Sequence, residues 1–175
     1  CEKAWAPCKD YFNELESNKE QNKTKKLNLL RDMDVFPEGK TAESITVIQI
    51  VNFLKGIHDK WKLFSPVPDG DFQDLNKSFK DSRNKINQLL EEVEKFNKGK
   101  KEEIISEVKS LSKDDIDASV MRIRELQDIW RTLGPAGKKL DPQVNENFAN
   151  VCDELLKIKD KELDESRGIM ESIIK

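Results

Sequence analysis

The strongest constraint on this chain is a helix end that is written twice. Leu126-Gln-Asp-Ile-Trp-Arg-Thr-Leu-Gly-Pro135 matches Ile57-His-Asp-Lys-Trp-Lys-Leu-Phe-Ser-Pro66 without a gap. An aromatic follows each tryptophan at the same distance, Phe79 after Trp61 and Phe148 after Trp130, so both landmarks recur at a spacing of 69 residues. A sequence that repeats itself over such a span folds as repeated units, each burying its apolar stripe partly against its neighbour.

The same ruler reaches the first residues. Phe79, Ser82 and Ile86 fall on Trp5, Cys8 and Phe12, and in the third copy on Phe148, Val151 and Leu155. Leu29-Leu30, Ile104-Ile105 and Ile173-Ile174 each lie about seven helical turns beyond the anchoring aromatic. The expected organisation is the C-terminal half of a first repeat over 1–40, a second repeat over 41–111, and a third over 112–175 that the chain leaves incomplete. The fold class that follows is all-α, an elongated array of helical repeats in which long and short helices alternate. Cys1 stands where a Met would begin a complete chain and aligns inside a helix, so a piece of a longer protein is expected.

Periodicity places five helices. The first runs from the N-terminus to about residue 32, starting near Ala6 or kinking at Pro7, with Trp5, Cys8, Phe12, Leu15, Leu27 and Leu30 as its apolar positions. Pro37 and Gly39 break the chain. Val47, Ile50, Val51, Leu54, Ile57, Trp61 and Phe64 recur at steps of three and four, which predicts an amphipathic helix from Thr41 or Ser44 to Ser65. A long third helix is expected from about Asp71 to Leu111, interrupted only by Gly99, at a cost of about 1 kcal/mol relative to Ala. Ser112 reads as the N-cap of the fourth helix, which carries Ile116, Val120, Ile123, Leu126, Trp130 and Leu133. Gly134, Pro135 and Gly137 end it. Pro142 opens the fifth, with Val144, Phe148, Val151, Leu155, Ile158, Leu163, Ile169 and Ile173 along it.

An apolar helix ending in Trp-(Lys/Arg)-x-x-(Gly/Ser)-Pro, followed by an apolar-aromatic helix with a small residue three after the aromatic, resembles the bacterial repeat family known as domain of unknown function (DUF) 349. The likeness spans nearly the whole chain, with Ser65 where the family favours Gly and Asn76 and Asn145 where it favours a second Trp. The resemblance implies an all-helical bacterial protein of the cytoplasm. It brings no activity, and no functional residue is carried over.

Composition narrows the function classes. The chain is 37% charged and 36% hydrophobic with only seven Gly and six Pro, as in helical arrays. A net charge of −3 with interspersed signs argues against a dedicated nucleic-acid or membrane-surface protein. Three cysteines, Cys1, Cys8 and Cys152, give an odd count and read as reduced thiols.

No catalytic constellation emerges, so a non-enzymatic chain is expected, without cofactor or metal. His58 is the single histidine and aligns with Gln127, which reads as a polar helix position. Trp61 and Trp130 lie in register with the apolar stripe and read as core. One feature stands out: Asn22-Lys-Thr-Lys-Lys26 and Asn97-Lys-Gly-Lys-Lys101 occupy the same place in successive repeats. Lys23, Lys25, Lys26, Lys98, Lys100 and Lys101 are therefore candidate contacts for a polyanion or a protein partner, weighed against a solvated helix face. The favoured function is a helical-repeat scaffold that docks an unidentified protein. The alternative is an RNA- or nucleoprotein-associated module that uses the lysines.

Overall fold

A computed structural model describes the backbone of residues 2–173 and the side chains of residues 9–170. The expectations placed on Cys1, on the side chains of Trp5 and Cys8, and on Ile173-Ile174 lie outside the described residues. The described chain is all-α: α1 (Glu2–Val35), α2 (Val47–Leu63), α3 (Phe72–Ser110), α4 (Ile116–Thr132) and α5 (Asp141–Ile173), with a 3-10 turn at Asp69–Asp71. Helices of 34, 39 and 33 residues alternate with two of 17. None of the described helices is long and apolar enough to cross a membrane.

The chain divides into two compact units, residues 1–92 and 93–175, with the division inside α3. In the first, α1 packs on α2. Leu29, Leu30 and Met33 of α1, Ile50, Ile57 and Trp61 of α2, and Leu75, Ile86 and Leu89 of α3 are buried. Phe36 and Phe53 stack with their centres 3.8 Å apart, which closes the loop after α1 over α2. In the second unit α4 packs on α5. Its core joins Ile104, Ile105 and Val108 of α3, Ile116, Ile123 and Leu126 of α4, and Val144, Phe148, Val151, Cys152 and Leu155 of α5. Cys152 is a free thiol whose ionisation burial pushes upward.

Helix ends differ in detail from those expected. α1 begins at Glu2, ahead of Pro7, so the start near Ala6 is not observed. α2 begins at Val47, because Thr46 and Gln49 form a reciprocal capping box that satisfies two backbone N–H groups. Asp115, rather than Ser112, caps α4 by accepting from the Ala118 N–H at 3.1 Å. Ser112 instead accepts from the Asp114 N–H, and its carbonyl accepts from the Ser119 hydroxyl at 2.7 Å. α3 continues through Gly99 without a break. Phe12 and Leu27 are 59% and 48% exposed, so neither belongs to the core of the first unit.

Candidate interaction surface

The repeated helix end becomes a packed device in each unit. In the first, Trp61 stacks on Phe79 with ring centres 4.3 Å apart and planes 25° from parallel. In the second, Trp130 stacks on Phe148 at 3.9 Å and 5°. The 69-residue spacing therefore repeats a contact as well as a motif. An aromatic pair contributes about 0.5–1.5 kcal/mol beyond the area each ring buries.

The recurring lysine clusters meet these devices. The Asn22 side-chain amide donates to the Pro66 carbonyl at 2.9 Å, and Asn97 donates to the Pro135 carbonyl at 3.0 Å. Each asparagine ties a long helix to the turn that follows a tryptophan. One helical turn further on, Lys26 places its ammonium 4.5 Å from the Trp61 ring centre, and Lys101 lies 5.2 Å from that of Trp130. Both lysines are buried, at 3% and 4% exposure, so a cation–π contact in low dielectric holds each on its ring.

Their polar surroundings differ. Lys101 pairs with Asp141 at 2.8 Å and donates to the Asn145 side-chain oxygen at 3.5 Å. Asp141 also accepts from the Ala136 N–H at 2.9 Å. Burial alone would raise the Asp141 pKa, but the Ala136 N–H and the Lys101 ammonium outweigh it and hold the carboxyl below its usual range. Lys26 has Ser65 Oγ at 3.3 Å and no carboxylate within 4.0 Å among the described residues. Phe72 stands at the position of Asp141, so burial is left to push the Lys26 pKa down.

The other four candidate lysines stay nearer the surface. Lys23 pairs with Asp71 at 2.8 Å, and that bond raises its pKa. Lys98 faces Glu102 at 3.4 Å, and Lys100 faces Glu103 at 3.0 Å while lying 5.8 Å from the Phe96 ring centre. Lys25 lies 5.4 Å from the Phe64 ring centre. Each cluster is thus split: its last lysine enters the core and the other two remain on the helix surface.

Gly134 has a spatial role in this device. A Cβ there would come within 2.7 Å of the Asn97 amide nitrogen as that side chain is placed in the second unit, so Asn97 would have to shift to accommodate one. Helix α4 ends on Leu133 in an extended conformation, and the left-handed backbone of this turn is at Gly137, φ +101°. In the first unit Ser65 takes the place of Gly134 and supplies the hydroxyl beneath Lys26.

Residues 69–139 match the family model of DUF349, a Domain of Unknown Function. Those residues are a DUF349 domain. The matched segment holds Asn97, Lys101, Trp130, Gly134 and Pro135 of the second unit, while Phe148 and Asp141, which complete that device, lie just beyond it. No curated protein and no solved structure matches the chain. The match assigns no chemistry.

Two features were not singled out from sequence. Asn22, Asn97 and Asp141 complete the device, and the first two could have been found, since each sits at helical spacing ahead of a buried stripe: 22, 26, 29, 30, 33 and 97, 101, 104, 105, 108. The second feature is a cleft of about 270 Å³ in the first unit, lined by Leu54, Lys55, His58, Phe79 and Arg83. His58, read as a polar helix position, is exposed there.

Proposed function

We propose that this chain is a non-enzymatic helical scaffold, a protein-docking segment of a bacterial cytoplasmic protein. The observation that carries the reading is the second apolar face of α2. Val47, Ile50, Ile57 and Trp61 are buried, yet Ile48 and Val51, one turn apart, are 66% and 47% exposed, and Leu63 at the helix end is 73% exposed. In a chain this rich in charge, neighbouring large apolar side chains held outward by a packed helix suit a protein partner, whose burial of them would supply the binding free energy.

The test is a photo-reactive amino acid placed at position 48 or 51 of the intact protein in its own cells, with Gln88 on the exposed surface of α3 as control. The reading expects a discrete protein adduct from positions 48 and 51 that is absent at 88. Binding of that protein to the purified chain should be lost in Ile48→Asp and Val51→Asp. Identical adducts at all three positions, or partner binding indifferent to both substitutions, would overturn it.

The RNA-associated alternative has less support. Two of the six lysines are buried and three of the others face carboxylates, so little uncompensated positive charge is left along the clusters.

A further inference from the structure

The cleft beside Phe79 borders the docking face, since Leu54 and Lys55 follow Val51 by one helical turn, and involves none of the clustered lysines. Its walls come from one turn of α2 and one of α3. Leu54, Lys55 and His58 lie at i, i+1 and i+4, and Phe79 and Arg83 at i and i+4, so the two helices turn these five side chains toward one opening. Phe79 is half-buried because Trp61 stacks on it. Lys55, His58 and Arg83 are exposed, and none of them has a hydrogen bond or ion pair among the described residues. Three basic side chains thus rim a concavity whose floor is an aromatic ring and a leucine.

The second unit serves as an internal control. At the spacing of 69 residues, Leu54, Lys55, His58, Phe79 and Arg83 correspond to Ile123, Arg124, Gln127, Phe148 and Cys152. Cys152 is only 2% exposed and hydrogen-bonds to Gln127. Where the second unit packs a thiol, the first carries a guanidinium too long to fold into the same space. Arg83 and His58 replace a thiol and an amide, while Lys55 has a cationic counterpart in Arg124.

We propose that this cleft binds a small phosphomonoester with an aromatic or apolar body. A guanidinium fork, an ammonium and an imidazole together offer the donors that a phosphate's oxygens accept, and Arg83 can grip two of them at once. The body lies on Phe79 and Leu54, where an aromatic ring would stack. A volume of about 270 Å³ admits a group of this size and is just below the range of drug-sized sites.

Phenyl phosphate is the probe, titrated into the chain and followed by amide NMR. The expected result is saturable shifts at Leu54, Lys55, His58, Phe79 and Arg83, with a dissociation constant of about 1 mM or tighter. Inorganic phosphate should bind more weakly, and phenol should not bind. Arg83→Gln and His58→Gln, both on exposed side chains, should each weaken binding about tenfold with the rest of the spectrum unchanged. Arg83→Lys, which keeps the charge and loses the fork, should fall between. No saturation by about 10 mM, a probe concentration some tenfold above the expected constant, overturns the proposal. So do equal shifts at Arg124, Gln127 and Cys152, or an affinity indifferent to the Arg83 and His58 substitutions. Equal affinity for inorganic phosphate likewise overturns it, because the body on Phe79 and Leu54 would then contribute nothing.

Discussion

Lys26 and Lys101 occupy the same place on their tryptophans, yet the structure predicts opposite outcomes for the same substitution. Lys26→Met removes an ammonium that burial penalises and that only a hydroxyl and a ring offset. The ring contact returns about 0.5–2 kcal/mol, less than the several kcal/mol that an unpaired buried ion costs. Methionine is one atom shorter, keeps an unbranched apolar chain and makes its own sulfur–aromatic contact of about 0.3–1.5 kcal/mol. Ser65 is exposed and can turn its hydroxyl to water. Lys26→Met should therefore leave stability unchanged or raise it by about 1–2 kcal/mol. Lys101→Met strands Asp141, whose side chain is 26% exposed, with the Ala136 N–H as its remaining donor. Allowing for that exposure, the loss is about 1–3 kcal/mol.

The assay is urea unfolding at neutral pH for the parent and both variants, read by circular dichroism and by amide exchange within each unit. The pH dependence gives a second reading. Because the folded state lowers the Lys26 pKa, the unfolded chain binds that proton more tightly, and stability rises with pH from the folded value up to the ordinary lysine value of about 10.4. The gap between parent and Lys26→Met should narrow over that alkaline window. If Lys26→Met destabilises as much as Lys101→Met, the Lys26 ammonium is well satisfied and the reasoning fails.

Three further outcomes follow from the same geometry. Trp130→Ala and Trp61→Ala should each cost about 3–5 kcal/mol in urea unfolding by opening a cavity against the stacked phenylalanine, and parent-like midpoints would place the rings outside the core. Gly134→Ala should cost about 1–2 kcal/mol, because its Cβ would displace the Asn97 amide from the Pro135 carbonyl; an unchanged midpoint would show that Asn97 moves freely. Asp141→Asn should flatten the acid side of the stability curve. A depressed carboxyl contributes stability that is present above the unfolded value of about 3.9 and is lost as pH falls through the lower folded value. Parallel acid melts of parent and variant would contradict that.

The helix phases were legible because burial enforces steps of three and four: Ile50, Ile57 and Trp61, or Ile116, Ile123 and Leu126, could face only one way. The helix starts were less legible. Thr46 and Gln49 spell a capping box in the sequence, but Thr41 and Ser44 are equally good caps by type, and only the backbone geometry selects among them. Ser112 and Asp115 posed the same choice. The lysine clusters show the deeper difficulty. Asn22 and Lys26 continue the spacing of a buried stripe, yet their residue types argue for solvent, and what reverses that is a tryptophan distant in sequence. The cleft was invisible for a related reason. Arg83 and Cys152 are equivalent along the chain, and whether such a position fills or opens a space depends on the size of the side chain that its neighbours must accommodate.

Whether the lysine clusters serve the fold or a polyanion is decided most directly by fluorescence anisotropy of labelled RNA and duplex DNA titrated with the chain from low to physiological salt. No measurable complex is expected at physiological salt, since Lys26 and Lys101 lie on tryptophans and Lys23, Lys98 and Lys100 face carboxylates. The contradicting result is a micromolar complex that weakens about a hundredfold between about 50 and 200 mM salt, as four phosphate contacts require, and that disappears when Lys23, Lys25, Lys98 and Lys100 are changed to Glu while the helical signal is retained.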